Sequence, residues 1–366
     1  MSMRNLLPVL LLPLLSEAFA PPSGHSSSSR SLLAAKKKPF APDYFDLYDD
    51  ENDLHIPNRL AFTTAKWQDM DDAQEAFNML VEAGISFVSC TPGKEKMLGR
   101  SIREQDIAVT VAVSYNSRFK FGGESSVVST MESIIDTMDI NQVEILQVRP
   151  SKLSTVSLGA LAEGIRSCVD EGFCTSGGAI DVTKKGTLKS LCRKLEQRDE
   201  ALLTNQFEFS LVYRKHEGMI DACKELGVIP LIRYPLGRDL LASGKWTSEE
   251  PNGTDNAGPR FSNKILEKWE PLHSMMYRIM DKAQSRAGKQ SRELKDYRAR
   301  RYDDKKKDPS VTPAQIAIHY VIAKGGVPLV DVYNEETAEE LMGCLGWRLT
   351  DEEVRMLDQA AELSSM

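Results

Sequence analysis

Two hydrophobic periodicities alternate along the chain from residue 59 to residue 332. Short apolar runs, typical of buried strands, are separated by segments whose apolar residues lie three and four positions apart, as in amphipathic helices. Such helical segments include 73–84, 127–138 and 217–227. The eight predicted strands are 59–67, 85–90, 107–114, 143–148, 177–182, 205–212, 228–234 and 327–332. Strands that are apolar on both faces and alternate with helices indicate a parallel sheet.

Eight strands, each followed by a helix, predict an α/β protein with a single (β/α)₈ TIM barrel. A doubly wound open sheet is the alternative. That fold carries a glycine-rich turn after its first strand, whereas residues 62–72 contain no glycine. Two later helices have well-marked starts, because Thr312 precedes Gln315 and Thr350 precedes Glu353 by three residues. This is the spacing of a capping box, and it supports the predicted boundaries of the last two units.

The first 38 residues have the composition of targeting segments. Residues 1–18 place Arg4 before an apolar run too short to span a membrane, as in a signal peptide. Residues 19–38 are rich in serine and basic residues, as transit peptides are. With Phe19 directly after the predicted cut at Ala18, the segment resembles the two-part plastid presequences of diatoms and related algae. We therefore expect a protein of the plastid stroma with no membrane span in the mature chain; a secreted protein with a disordered linker is the alternative.

Charge and cysteine content narrow the function classes. The chain carries a formal net charge of −7 at pH 7, and because its first 38 residues carry +4, the remainder carries −11. An acidic body of this kind argues against general nucleic-acid binding. Six cysteines lie far apart without C-x-x-C spacing, which argues against a disulfide framework or a zinc site. We expect no bound metal and a reducing compartment.

A basic segment interrupts the pattern before the last barrel unit. Residues 282–307 hold eleven Lys or Arg against four acidic residues. We place an insertion at 282–310 within a barrel that spans 48–362. One hypothesis is a basic arm for an acidic partner such as RNA or an anionic membrane surface. The other, which we favour, is a solvated helical extension or loop, because no apolar stripe is present to seat a membrane helix.

Several long stretches are similar to one enzyme family. Residues 204–245 resemble the run of the aldo-keto reductases from the sixth strand through the seventh, and residues 312–354 resemble the final units of that family. Residues 258–279, "GPRFSNKILEKWEPLHSMMYRI", are similar to plastid members. The resemblance covers about residues 55 to 360 and is strongest after residue 200. It implies a (β/α)₈ barrel that uses NADPH to reduce carbonyl compounds.

The resemblance also implies four catalytic side chains at the barrel mouth. In the family a tyrosine donates the proton, a lysine lowers the pKa of that tyrosine, an aspartate pairs with the lysine and a histidine orients the carbonyl. The matching positions here hold Val88 or Ser89 for aspartate, Ala112 for lysine and Val148, followed by Arg149, for histidine. The loop at 90–95 contains no tyrosine. The catalytic tetrad is therefore predicted to be lost.

The cofactor site that the resemblance implies is retained at some positions and replaced at others. The retained positions are Asn205 and Gln206 for the nicotinamide carboxamide, Tyr234 for ring stacking, and Leu236 and Gly237 near the pyrophosphate. The replaced positions are Ala179 and Ile180 for a Ser-Asn pair, Val330 and Asp331 for Pro-Gly, and Tyr333 or Asn334 for the cation that binds the 2′-phosphate. Asp331 would repel that phosphate, so we expect weak NADPH binding; inherited packing is the alternative role of the retained residues.

Three functional hypotheses follow. The first is a plastid barrel protein that has lost reductase catalysis and binds an unknown small ligand or protein. The second is an NADPH-dependent oxidoreductase that reduces a carbonyl substrate through other donors, with Tyr115 or Lys94 as the nearest candidates. The third is redox sensing at Cys90, which requires a lowered thiol pKa near Lys94; a buried inert cysteine is the alternative.

Overall fold

Eight parallel strands close into a barrel. The computed structural model of the chain describes residues 47–49, 54–56, 59–105, 107–117, 123–151, 156–242, 263–287 and 311–365. A short antiparallel hairpin comes first, formed by β1 (Leu47–Asp49) and β2 (Leu54–Ile56). The barrel strands are β3 (Ala61–Thr63), β4 (Phe87–Ser89), β5 (Thr110–Asn116), β6 (Val143–Arg149), β7 (Cys174–Ile180), β8 (Leu202–Glu208), β9 (Ile229–Arg233) and β10 (Val327–Asp331).

Helices follow the barrel strands and cover the outside of the barrel. They are α1 (Met70–Glu82), α2 (Glu95–Arg103), α3 (Glu124–Met138), α4 (Leu158–Asp170), α5 (Lys185–Glu196), α6 (Gly218–Glu225), α7 (Asn263–Ala287), α8 (Pro313–Ala323), α9 (Glu335–Met342) and α10 (Asp351–Ser365). The capping box at Thr312 is present. At the second predicted start, the Glu353 N–H donates to Thr350 Oγ1 and Glu353 Oε2 accepts from the Thr350 N–H. Both predicted helix starts are confirmed.

The predicted (β/α)₈ barrel is confirmed. Each strand pairs in parallel with the next, and β10 pairs with both β3 and β9, which closes the ring. All eight predicted strands are present, but the sixth begins three residues and ends four residues earlier than the predicted 205–212. The predicted end of that strand instead forms a turn in which Ser210 and Tyr213 exchange backbone hydrogen bonds.

Side chains from the two faces of the strands form two cores. The larger core fills the space between barrel and helices. The smaller one fills the barrel itself, and Ile56 of β2 packs into it, so the hairpin covers the amino-terminal end. Nearer the carboxyl ends, Gln147 Nε2 donates to Thr204 Oγ1 at 3.2 Å. Gly178 makes room for this pair, because a Cβ there would lie 2.5 Å from Thr204 Oγ1.

Helix α7 extends into the stretch predicted to be an insertion. Residues 282–287 form its last turns, and Ala283 and Ala287 are buried in the larger core. Residues 1–38 and 288–310 lie outside the described residues. Among the helices that the structure describes, none is both long and apolar enough to cross a membrane. The described residues also contain no group of three or more side chains suited to hold a metal ion.

An ion pair joins the end of α7 to the last helix. Arg286 Nη2 donates to Glu353 Oε1 and Oε2 at 2.8 and 2.7 Å, and the Glu353 side chain is only 6% exposed. We expect Arg286→Met to lower the free energy of unfolding by on the order of 2–4 kcal/mol, because it leaves a buried carboxylate without its counter-charge. Urea unfolding provides the measurement. The matched control is Arg278→Met on the exposed face of the same helix, and equal effects of the two substitutions would contradict the structural role.

Candidate functional site at the barrel mouth

A pocket of about 160 Å³ opens at the carboxyl ends of the barrel strands. Because the strands are parallel, their last residues meet at one rim, where the active sites of such barrels lie. Every strand contributes a side chain to the pocket at or near its carboxyl end. In strand order these residues are Thr63, Ser89, Ser114, Arg149, Ile180, Gln206, Arg233 and Asp331. Residues of the adjoining loops complete the lining, namely Ala65, Cys90, Thr91, Pro92 and Tyr234, together with Leu329 of β10.

Two arginines in this pocket share one carboxylate. Arg149 Nη2 lies 3.2 Å from Asp181 Oδ2, and Arg233 Nη2 donates to Asp181 Oδ1 at 2.8 Å. Asp181 follows β7 directly, so it stands between the strands that carry the two arginines. The buried Nε atoms of both arginines have no hydrogen-bond partner among the described residues. The three side chains therefore make this side of the pocket positively charged, and some of their guanidinium N–H donors have no acceptor in the part of the chain that the structure describes.

The part of the rim formed by β10 and the loop after β3 is acidic. Lys66 Nζ donates to both oxygens of Asp239 at 2.9 and 2.8 Å and lies 3.9 Å from Asp331 Oδ2. Burial raises the pKa of Asp331 to about 6, and the negative charge of Asp239 adds to the shift, while Lys66 opposes it. Burial lowers the pKa of Lys66, but the hydrogen bond to Asp239 and the two nearby carboxylates outweigh it, so this pKa is raised overall. Lys66 therefore remains charged.

Tyr234 lies at the edge of the pocket in a left-handed backbone conformation, with φ of 56°, which is uncommon for a residue with a side chain. Two guanidinium groups lie over its ring, with Arg238 Cζ 4.5 Å and Arg233 Cζ 5.2 Å from the ring centroid. Arg238 is also held by Glu208 through two hydrogen bonds of 3.0 and 2.9 Å. The ring surface on which a nicotinamide could stack is thus partly covered.

The other predicted cofactor residues do not all reach the pocket. Gln206 lines it, but Asn205 faces the opposite side of β8, since neighbouring strand residues alternate in direction. Asn205 is fully buried, and its Nδ2 donates to the Val182 carbonyl at 2.9 Å and to Cys223 Sγ at 3.7 Å. Leu236 and Gly237 belong to the turn after β9 and are not among the pocket-lining residues. The predicted carboxamide-binding pair is therefore split between two environments.

The predicted tetrad positions do not all lie at the rim of the barrel. Ser89 lies at the rim as expected, whereas Ala112 lies inside the barrel below it. Strand β5 extends to Asn116, so Ser114 takes the rim position on that strand. On β6 the side chain of Val148 packs in the outer core, and Arg149 reaches the pocket instead. Neither Ser114 nor Arg149 restores the lysine or histidine of the family.

The structure contradicts the alternative proton donor. Tyr115 lies within β5, not beyond it, is 1% exposed, and packs in the outer core. Its hydroxyl donates to Ser126 Oγ at 3.0 Å, on α3 outside the barrel. Lys94 precedes the first turn of α2 and is not a pocket-lining residue. Neither residue can act on a ligand in the pocket in this arrangement.

Cys90 does line the pocket, but its thiol is not activated. Burial raises its pKa to about 12, and the negative charge of Glu95 adds to the shift. Redox sensing requires a lowered thiol pKa, so the raised pKa argues against this hypothesis. All six cysteines are buried, which supports the alternative of an inert residue.

Sequence reasoning missed the groups that carry the charge of the site. Arg233, Asp181, Lys66 and Asp239 were not singled out, although Arg233 ends a strand and Asp181 directly follows one. For Arg233 and Asp181, the position immediately after an apolar run was the available signal, since such residues meet at the rim of a parallel barrel. The pairing between them could not be found this way, because it joins residues 52 and 173 positions apart.

Comparisons with known proteins agree with this architecture. The sequence profile of the aldo/keto reductase family matches residues 60–362. A chloroplastic pyridoxal reductase of Arabidopsis thaliana is 26% identical over 318 residues, which cover 80% of this chain and 78% of that protein. A glycerol dehydrogenase from Gluconobacter oxydans superposes with a TM-score of 0.66 at 16% identity, covering 87% of this chain and 95% of that one. The holo form of an aldo-keto reductase from Bacillus halodurans gives 0.62 at 13% identity, covering 87% and 96%. At these identities the two structures show the shared fold.

The raised pKa of Asp331 predicts a pH-dependent stability. Because the pKa of about 6 exceeds the ordinary 3.8, the native state holds this proton more tightly than the unfolded chain, and stability falls as the pH rises from about 4 to about 6. We expect Asp331→Asn to raise the free energy of unfolding at pH 8 by up to about 3 kcal/mol and to have little effect at pH 4. Denaturant unfolding at the two pH values measures this. An equal effect at both would contradict the assignment.

The raised pKa of Cys90 predicts slow alkylation. With a pKa of about 12, about one thiol in ten thousand is a thiolate at pH 8, so iodoacetamide should not label Cys90 in the native chain over the time that labels the unfolded chain completely. Peptide mass spectrometry gives the extent of labelling. The control is a cysteine introduced at the exposed Pro92, two residues away. Labelling of Cys90 as fast as Pro92→Cys would restore the redox hypothesis.

Proposed function

The chain belongs to the aldo/keto reductase family, and from this premise we propose that it is a plastid barrel protein that binds a small ligand at its mouth without the family's reductase catalysis. The observation that carries the proposal is the set of side chains at the rim. The ends of the eight strands supply three hydroxyl groups, all on neighbouring strands, and two guanidinium groups. They also supply an amide, an aliphatic group and a carboxyl group. This set is suited to holding a polar ligand.

The tyrosine and lysine that transfer the proton in the family have no counterpart in this set. A general acid must lie within hydrogen-bond reach of the reacting oxygen. The described residues that line the pocket include no lysine and no histidine, and their tyrosine is Tyr234, at the position of the family's stacking residue. Cys90 holds its proton too tightly, with a pKa of about 12. These features support the loss of the proton-relay chemistry.

Three features support weak NADPH binding. Asn205 faces away from the pocket, guanidinium groups partly cover the Tyr234 ring, and Asp331 places a carboxyl group at the rim. Loss of a charge-assisted contact to the 2′-phosphate costs roughly 1.5–3 kcal/mol, which lowers the affinity for NADPH about ten- to a hundredfold. Gln206 and Tyr234 nevertheless keep their places in the pocket. They favour a second candidate function, an NADPH-dependent oxidoreductase that draws its proton from solvent or from the substrate.

The comparisons support a location and a first ligand to test. The Arabidopsis relative is named as chloroplastic and as a pyridoxal reductase. Together with the basic, serine-rich residues 19–38, this supports a plastid location reached through a signal peptide and a transit peptide at 1–38. Pyridoxal is therefore the first ligand to test. The unidentified physiological ligand is a small molecule or a protein. Because the chain after its first 38 residues is acidic, we expect no general binding to nucleic acid.

The decisive test is turnover by the purified full chain. We expect NADPH oxidation with pyridoxal or a simple aldehyde to stay at background, and titration with NADPH to show weak or absent binding. Ser114→Lys, which returns a lysine to the rim, should not rescue activity, because the groups of the tetrad act as a unit. Absorbance of NADPH measures turnover, and its fluorescence measures binding.

Turnover at a rate typical of the family would overturn the proposal in favour of the oxidoreductase. In that case Gln206→Leu, which removes the amide from the pocket, should abolish the activity. Arg100→Gln is the matched control, since Arg100 is exposed on α2 and pairs there with Glu104. Turnover that survives Gln206→Leu would place the chemistry outside this pocket.

A further inference from the structure

We infer that the mouth pocket is a binding site for a small carboxylic acid, whose carboxylate is held jointly by Arg149 and Arg233. This inference deepens the proposed function and rests on it, because it concerns the ligand of the same pocket. It names the chemical group that the pocket recognises and the two side chains that recognise it.

The first support is the arrangement of the two guanidinium groups. They come from β6 and β9 and both contact Asp181, at 3.2 and 2.8 Å. One carboxylate cannot satisfy two guanidiniums, because each carries five N–H donors. The Nε atoms of Arg149 and Arg233 are buried and have no partner among the described residues. The two side chains remain 34% and 23% exposed, so an incoming carboxylate can reach guanidinium donors that Asp181 does not use.

The second support is independent of the arginines. Gln206 lines the same pocket, is nine-tenths buried, and its Oε1 has no hydrogen-bond partner among the described residues. Its amide presents donors and an acceptor, as required by a ligand that carries a second polar group. The hydroxyls of Thr63 and Thr91 lie 3.2 Å apart at the same rim and add further sites.

Charge and size define the ligand more closely. The two arginines and Lys66 carry three positive charges, and Asp181, Asp239 and Asp331 carry three negative charges when ionised. A neutral rim accepts a singly charged group at lower cost than a dianion. The planar guanidinium fork also matches a carboxylate. A volume of about 160 Å³ lies below the roughly 300–1,000 Å³ of pockets for drug-sized ligands, so the acid is small.

The test compares benzoate with benzamide, which has nearly the same shape but no charge. Calorimetric titration of the full chain should show benzoate binding at least tenfold more tightly than benzamide. Arg149→Gln and Arg233→Gln should each weaken benzoate binding tenfold or more and leave the affinity for benzamide within about twofold, because each removes a charge-assisted pair. Arg100→Gln, on the exposed face of α2, should change neither. Thermal unfolding checks that the variants fold.

Each outcome decides the inference. Equal binding of benzoate and benzamide by the unmutated chain would overturn it without use of any variant. Tighter binding of inorganic phosphate than of benzoate would also overturn it, in favour of a phosphate site. The inference and the proposed function fail separately, because NADPH turnover would remove the non-catalytic function while a preference for benzoate would still identify the recognised group.

Discussion

The period of two along each strand of a closed parallel barrel determines the chemistry of this protein. Successive residues of a strand face opposite sides, so only every second residue can enter the barrel, and only the last of these reaches the rim. Arg149 lines the pocket while Val148, its neighbour, packs against helices. Gln206 and Asn205 are divided in the same way. A shift of one position therefore changes a polar rim group into a core residue.

The polar groups of the rim are arranged as two ion-pair clusters. Asp181 joins Arg149 to Arg233, and Asp239 holds Lys66 near Asp331. In the first cluster two cations share one anion, and in the second two carboxylates share one cation. Burial, with a smaller contribution from Asp239, keeps the pKa of Asp331 raised even beside Lys66. The first cluster therefore carries a net positive charge suited to an anion, and the second, when Asp331 is ionised, carries a net negative charge that repels one.

Much of the fold could be predicted from the sequence, because apolar runs and helical periods are local signals. The ends of the strands were harder. Strand β5 continues through Ser114 and Asn116, where the apolar run has ended, since its hydrogen-bond ladder with β6 continues to Arg149. That extension moved the rim position from Ala112 to Ser114 and placed Tyr115 in the outer core. Helix α7 likewise runs to Ala287 through a basic stretch, where Ala283 and Ala287 pack in the larger core and Arg286 pairs with the distant Glu353. Such pairings join segments far apart and leave no local pattern.

The central claim is that the rim which serves proton transfer in the family here holds an anion between two arginines. A crystal structure of the full chain grown with benzoate tests it most directly. We predict the carboxylate within hydrogen-bond distance of both Arg149 and Arg233, with Asp181 still in contact with both. Benzoate seated elsewhere, or a benzoate carboxylate in contact with neither arginine, would contradict the account.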